Sequence, residues 1–302
     1  MADFMSWLLA SLIAAGFLGL YDLCNKHAVY KNAVLPVLFL QTLCAALIWS
    51  CLLICQRLNP SALPGFLAVT PLTGTQHLQI LLKSAIVTSS WVCTYFAIKH
   101  LPVTLTSPIG STQPLFTMVG GLLLFMERPS HFQMLGMLIT LGSFFGLSLA
   151  GRAEGVDFKR DPWVRFMLLG TLLGGVSGLY DKLLLGRQHF TPSTVQAWFS
   201  IYLAILFLPL AIGWKRRWWP RGEFHWRWSI PGIAVALLIS DNLYFNALRD
   251  PSSMISVVSC VRRGSVLVSF AGGVLLLGET NAWRKLPAIV GLLAGIWLMM
   301  LG

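Results

Sequence analysis

The tetrapeptide GLYD at residues 19–22 recurs as GLYD at residues 178–181. Two longer stretches recur in the same order: YFAIKHLP (95–102) with YFNALRDP (244–251), and GGLLLFMER (120–128) with GGVLLLGET (272–280). Three separate matches in one order indicate that the chain contains two copies of one structural unit. The copies are predicted to occupy residues 1–150 and 151–302.

The composition is typical of a helical membrane protein. Of 302 residues, 56% are hydrophobic and 11% are charged, whereas a soluble protein has about 25% charged residues. The net charge of +11 does not indicate nucleic-acid binding, because Lys and Arg lie between apolar segments, where they contact lipid headgroups. Ten segments are apolar enough to span a bilayer: residues 5–25, 35–55, 79–98, 103–126, 133–150, 163–185, 195–214, 230–248, 254–277 and 286–301.

Each copy of the unit therefore contains five spans. Because five is odd, the second copy crosses the membrane in the opposite sense to the first. Such an inverted-topology repeat is a common architecture of secondary transporters. The sequence thus predicts an all-α membrane protein with ten transmembrane helices, arranged as two inverted five-helix repeats.

The sequence resembles the drug/metabolite transporter superfamily, in its ten-helix EamA-type branch, in three recurring features. These are the helix ends YFAIKHLP and YFNALRDP, the glycine pairs and late acids of GGLLLFMER and GGVLLLGE, and the glycine-spaced last helix of each half. The resemblance spans nearly the whole chain. It implies two five-helix bundles around a central cavity and the transport of small organic metabolites. A fold of this kind does not specify the substrate.

Three charged residues near the middle of predicted spans define a candidate site. Asp241 lies in LLISDNLYF, and Arg262 and Arg263 lie in the next span, in SCVRRGSVLVSF. The tight RDPSS turn between these spans predicts antiparallel neighbours, with Asp241 and the arginines at similar depth. A buried charge needs a partner, so we expect Asp241 to pair with one arginine. The remaining positive charge favours a substrate with a carboxylate or phosphate; a purely structural charge network is the alternative.

Further polar and aromatic residues extend this candidate substrate-binding or coupling site. Asn242 and Tyr244 follow Asp241 in the eighth span, and Trp91 and Tyr95 share one face of the third span. Gln113 belongs to the proline-interrupted segment TSPIGSTQP, whose missing backbone donors are tolerated where the backbone is buried or lines a cavity. Aromatic residues at the membrane interface and simple packing of a kinked helix are the alternatives.

The two GLYD aspartates, Asp22 and Asp181, are the remaining acids within spans. Lys26 follows Asp22 by one helical turn, on the same face. Two roles are open for these residues: an ion pair at a helix end that holds the bundles in register, or gating and coupling. Glu127 and Glu279, at helix–loop junctions, are expected to anchor helix ends.

The predicted function is a secondary transporter of a small polar or amphipathic organic metabolite, working by alternating access. The resemblance is to a bacterial subgroup, which implies the cytoplasmic (inner) membrane. A flippase for a lipid-linked carrier or phospholipid-like substrate is the alternative and requires a lateral opening between helices. An intramembrane enzyme is a remote alternative, because the sequence shows no nucleophile motif or metal-ligand spacing. No cofactor is expected. The expected partners are a small-molecule substrate, membrane lipids and protons, with the protein a monomer or weak dimer.

The loop charges predict the orientation. If both termini were inside, the cytoplasmic loops would carry Arg57, Arg128, Lys182, Arg187 and Arg249, whereas the outside loops would carry more than twice as many basic residues. The family resemblance implies termini inside, but the positive-inside rule places them outside. We therefore expect an impermeant thiol reagent to modify Ala2→Cys and not Trp218→Cys in whole cells. The reverse labelling pattern contradicts this orientation.

Overall fold

The computed structural model of the chain describes residues 2–59, 63–101, 109–110, 112–149, 161–218, 222–268, 271–272 and 282–301. Ten α-helices lie within these residues: α1 (Ala2–Val29), α2 (Val34–Leu58), α3 (Gly74–His100), α4 (Gln113–Leu124), α5 (His131–Leu149), α6 (Pro162–Lys182), α7 (Pro192–Lys215), α8 (Ser229–Arg249), α9 (Ile255–Arg262) and α10 (Ala282–Met300). A 3-10 turn (Gly65–Leu67) and a π-helical turn (Leu183–Arg187) accompany them.

The all-helical, multi-pass architecture predicted from the sequence is confirmed. Six of the described helices contain a stretch long and apolar enough to cross a membrane: Trp7–Val29, Val34–Leu58, Gly74–Ala97, Pro162–Arg187, Pro192–Lys215 and Ser229–Arg249. Their apolar character and length satisfy the requirement of about 20 residues for a span. The fourth and ninth predicted spans differ from expectation, because α4 has 12 residues and α9 has 8.

The ninth predicted span is interrupted at the arginine pair. Helix α9 ends at Arg262, and the next residues form a tight turn in which the Gly264 amide donates to the Val261 carbonyl at 2.8 Å. Residues 265–268 are helical again. The continuous helix predicted over 254–277 is therefore wrong at its centre. Non-helical backbone at membrane depth is tolerated where it is buried in protein or lines a cavity.

The fourth predicted span is interrupted at a similar place. The Thr112 amide donates to the Ile109 carbonyl at 3.0 Å, and α4 begins only at the next residue, Gln113. Pro114 lies in the first turn of α4, where its missing amide proton removes no helical hydrogen bond. The part of this span over residues 102–108 and 111 lies outside the described residues.

The principal helix contacts join the first half of the chain to the second. Helix α1 packs against α8, α3 against α6, α2 against α7, α5 against α10 and α4 against α9. The two halves are therefore interleaved through these contacts. Small residues allow this close approach: a side chain at Gly136 of α5 would clash with Met299 and with the Gly295 carbonyl of α10.

Charged side chains at helix ends also join the halves. The Glu127 carboxylate, after α4, accepts hydrogen bonds from the Ile255 amide at 2.6 Å and the Ser256 hydroxyl at 2.6 Å. It thereby caps the first turn of α9, where free amides and the helix dipole favour a negative charge. The expected anchoring role of Glu127 is confirmed, whereas Glu279 lies outside the described residues.

Lys182 was counted above among the basic loop residues that predict the orientation, but it is not a loop residue. It is 7% exposed, and its ammonium group donates to the Ser253 carbonyl at 2.6 Å and the Ser253 hydroxyl at 2.7 Å. It therefore fixes the turn between α8 and α9. Removing Lys182 from the count makes the difference in loop charge between the two sides larger.

The α5–α10 contact predicts the effect of a substitution. Gly136→Leu should destabilise the protein by about 1–3 kcal/mol, the usual range for overpacking, because the new side chain meets α10 directly. Thermal unfolding of purified protein measures the effect. Gly142→Leu is the matched control on the same helix, since no atom lies within 4 Å of a Cβ placed there. Equal stability of the two variants would contradict the packing described above.

Candidate functional site: a charged central cavity

A cavity of about 210 Å³ lies between the two halves of the chain. Helices α1, α3, α4, α6, α7, α8 and α9 all contribute side chains to it. Four lining residues are charged: Lys83, Asp181, Asp241 and Arg262. Its volume lies just below the range of about 300–1,000 Å³ typical of ligand pockets, which suits a small molecule.

Arg262 and Asp241 form the first ion pair of the cavity. The Arg262 guanidinium donates to the Asp241 carboxylate and its central carbon lies 4.1 Å from the centre of the Tyr244 ring, in a cation–π arrangement. The two side chains are 21% and 13% exposed. The pair predicted between Asp241 and one arginine is thus present, and it uses the arginine at the last residue of α9.

Lys83 and Asp181 form the second ion pair, and sequence reasoning missed it. The Lys83 ammonium lies 2.8 Å from the Asp181 carboxylate, and both side chains are almost fully buried. The same ammonium lies 3.7 Å from the centre of the Phe199 ring. For Asp181 the sequence left two roles open, an ion pair at a helix end or gating and coupling, and it did not identify Lys83 as the partner. A search for lysines, as well as acids, within apolar spans would have singled out Lys83 of α3.

The charges that line the cavity balance. Lys83 and Arg262 carry two positive charges, and Asp181 and Asp241 carry two negative ones. Arg263 does not line the cavity; its guanidinium donates to the Gln113 side chain, and Asp22 interacts with it electrostatically. The surplus positive charge expected from the sequence is therefore wrong, because the fold brings acids from other helices to both arginines and the lysine.

Contacts between α4 and α9 place the two interrupted helices side by side. Gln113, the first residue of α4, accepts from Arg263 just beyond the end of α9. About one turn from each break, Thr117 near the start of α4 and Ser259 near the end of α9 also meet. Their hydroxyls are 2.6 Å apart. Gln113 also lines the cavity. The breaks in both helices thus lie next to the charged cavity, where polar side chains such as Gln113 can contact a ligand.

The other predicted site residues divide between the cavity and its surroundings. Tyr244 and Trp91 line the cavity. Tyr95 does not: its hydroxyl accepts from the Asn25 amide at 2.8 Å, and its ring lines a separate pocket of about 200 Å³. Asn242 points away from the cavity, towards Gln196 of α7, because adjacent helical residues point about 100° apart. The side chain of Lys26 lies outside what the structure describes.

One polar atom of the Arg262–Asp241 pair has no partner within the described part of the chain. The Nε atom of Arg262 is buried without a hydrogen bond. A buried unsatisfied donor costs about 1–3 kcal/mol. A ligand acceptor that reached this buried atom would therefore form a favourable contact.

Comparisons with known proteins agree with this fold. Residues 5–149 match the model of the EamA-like transporter family. A crystal structure of a protein superposes with a TM-score of 0.72, covering 98% of this chain and 98% of that chain at 14% sequence identity; at this identity the likeness concerns the fold alone. No curated protein matches the sequence significantly.

The ion pair predicts an unfolding experiment. Asp241→Asn should destabilise the protein by about 3–5 kcal/mol, because it leaves a buried guanidinium unpaired. Adding Arg262→Met should restore part of this loss, since it removes the unpaired charge. Glu223→Gln is the control, because the Glu223 side chain is 90% exposed. If the double variant is no more stable than Asp241→Asn, the pair does not contribute as described.

Proposed function

Because the chain belongs to the drug/metabolite transporter superfamily and forms a multi-pass membrane protein, we propose that it is a secondary transporter that moves a small polar or amphipathic organic metabolite by alternating access. The central cavity is the proposed substrate site. The proposed location is the bacterial inner membrane. The family consists of transporters, which is consistent with the expectation that the chain is not an enzyme.

The observation that carries this proposal is the cavity with its two ion pairs. Charged side chains within transmembrane segments are costly, and they mark substrate and ion pathways in membrane proteins. Here four of them surround one cavity, and Asp181 interacts electrostatically with Arg262 as well as with Lys83. A substrate or a proton that alters one pair therefore acts on the other. Lys83 and Asp181 are the proposed coupling pair, because they join α3 to α6.

The pattern of helix contacts supports an inverted repeat of residues 1–150 and 151–302. Exchanging the halves turns the α1–α8 contact into the α6–α3 contact. The same exchange maps the α2–α7, α4–α9 and α5–α10 contacts onto themselves. A two-fold axis in the membrane plane, as proposed here, produces this symmetric set of contacts, and in transporters such an axis relates alternating states of access to a central site.

The balanced charge of the cavity affects which chemical groups a substrate is expected to carry. A lining with two cations and two anions offers no net attraction for an anion. It does offer charge-assisted hydrogen bonds to donors and acceptors within one ligand. We therefore propose a polar or amphipathic substrate that carries both kinds of group, in place of the carboxylate or phosphate compound favoured by the sequence.

The flippase alternative has one observation in its favour. An apolar groove of about 450 Å³ opens between α2 and α8 and includes exposed side chains such as Val235 and Ile239. A lipid-like substrate requires a lateral opening of this kind. The charged cavity, which is smaller than the groove, favours a small metabolite over a whole phospholipid.

Ligand-induced stabilisation tests the proposed site. Purified, reconstituted protein is heated with each member of a metabolite panel; a ligand at 100 times its Kd stabilises the folded state by about 2.7 kcal/mol. We expect Arg262→Ala to abolish the stabilisation and the corresponding uptake into vesicles, and Arg263→Ala to reduce them less, because Arg263 lies outside the cavity lining. Arg249→Ala is the control, since Arg249 is exposed at the end of α8.

The outcome that would overturn the site is equally specific. If Arg262→Ala retains both ligand-induced stabilisation and transport at the level of Arg249→Ala, the ion pairs are structural and the cavity is not the substrate site. Unfolding of each variant without ligand separates loss of binding from loss of folding.

A further inference from the structure

The lateral groove between α2 and α8 has an apolar mouth and a polar base. Ile48, Val235 and Ile239 form its mouth and are exposed at membrane-spanning positions. Gln196 and Asn242 lie at its base, where the Asn242 amide donates to the Gln196 side chain at 3.2 Å. The Gln196 amide in turn donates to the Leu238 carbonyl of α8 at 2.5 Å.

A small chamber of about 20 Å³ lies on the inner side of Gln196, with room for about one water molecule. It shares Gln196 and Leu238 with the groove. It shares Asp241 and three apolar residues, Trp91, Phe199 and Leu237, with the central cavity. Groove, chamber and cavity thus follow one another from the lipid-facing surface to the ion pairs, and each shares lining residues with the next.

Polar atoms without partners line this series of spaces. Gln41 is 2% exposed, faces the chamber, and has no hydrogen-bond partner for either side-chain amide atom among the described residues. Trp49, which lines the groove and is 3% exposed, likewise has an unpartnered ring nitrogen. Buried polar groups are normally satisfied. Between the lipid-facing groove and the cavity, these atoms are donors and acceptors available to a polar group of a ligand.

Resting on the proposed transport function, we infer that the groove and chamber are a lateral path by which an amphipathic substrate with an alkyl tail passes between the bilayer and the central cavity. The polar head occupies the cavity beside Arg262 and contacts Gln41 on the way. The tail lies in the apolar groove. Gln196 and Leu238 form the latch, because their hydrogen bond joins α7 to α8 across the path.

Both ends of the path favour this occupant. An alkyl tail gains nothing from a charged cavity, and a wholly polar solute gains nothing from a groove open to lipid. A molecule with one apolar and one polar end matches both. The pocket that Tyr95 lines shares no described lining residue with the central cavity, so the continuous series of spaces is found here on the α2–α8 side.

Photolabelling tests the path. The protein is reconstituted in phosphatidylcholine vesicles containing a 2-amino fatty acid with a diazirine on the alkyl carbon next to its zwitterionic head. After irradiation, mass spectrometry identifies the labelled residues. We expect adducts at the groove and also beyond the latch, at Gln41 or Leu237. Leu238→Trp should remove the inner adducts by filling the latch. Gln196→Ala should increase them several-fold by opening it.

Two controls match these variants. Leu208→Trp adds the same bulk at an exposed position of α7, and Gln133→Ala removes another buried glutamine side chain, one that accepts from the Ser130 amide at 2.9 Å. Neither should change the inner adducts. Because the two latch variants are expected to act in opposite directions, a general loss of folding cannot produce the predicted pattern.

Two results overturn the path. One is labelling confined to the lipid-facing residues of the groove in every variant; the other is inner labelling that does not respond to Leu238→Trp or Gln196→Ala. If either occurs while Arg262→Ala still abolishes ligand-induced stabilisation, the path fails and the proposed transport site stands. If inner labelling responds as expected but Arg262→Ala has no effect, the path stands and the proposed site fails.

Discussion

A charge inside a membrane protein must be paired, and this requirement determines how the centre of the molecule is built. The pairs Arg262–Asp241 and Lys83–Asp181 contribute little net stability, since desolvation offsets much of their attraction, but loss of one partner is costly. The fold therefore has to hold α3 against α6 and α9 against α8 at the depth where these charges lie. The cavity is the space that remains between the pairs.

Interleaving of the two halves follows from the same need for partners. Lys83 comes from the first half and Asp181 from the second, Glu127 caps α9 of the second half, and Gln113 accepts from Arg263 across the same boundary. Glycines allow the backbones to approach closely enough for these contacts, as Gly136 does for α10. Many of the contacts that hold the centre of the molecule together therefore cross from one half of the chain to the other.

Two classes of polar side chain can be distinguished within the membrane-spanning core. Charged groups such as Lys83 and Asp181 are paired. Lys182, which fixes the turn between α8 and α9, has several acceptors. Some neutral groups, by contrast, lack partners within the described residues, as the side-chain amide of Gln41 does. Unpaired neutral groups are tolerated at a lower cost than unpaired charges. They are therefore the groups that a fold can leave available for a ligand without losing its stability.

The sequence by itself determined the membrane-spanning class and the pairing of Asp241 with one of the two arginines of the next span. It also predicted the two-copy organisation. Each depends on local information: apolar length, repeated motifs, and a tight turn that makes two successive helices neighbours. Only the tertiary structure decided that Lys83 pairs with Asp181, that Asn242 faces α7, and that α4 and α9 are interrupted beside the cavity. These features depend on helices far apart in the chain, and the cross-half packing that brings them together leaves no local pattern in the sequence.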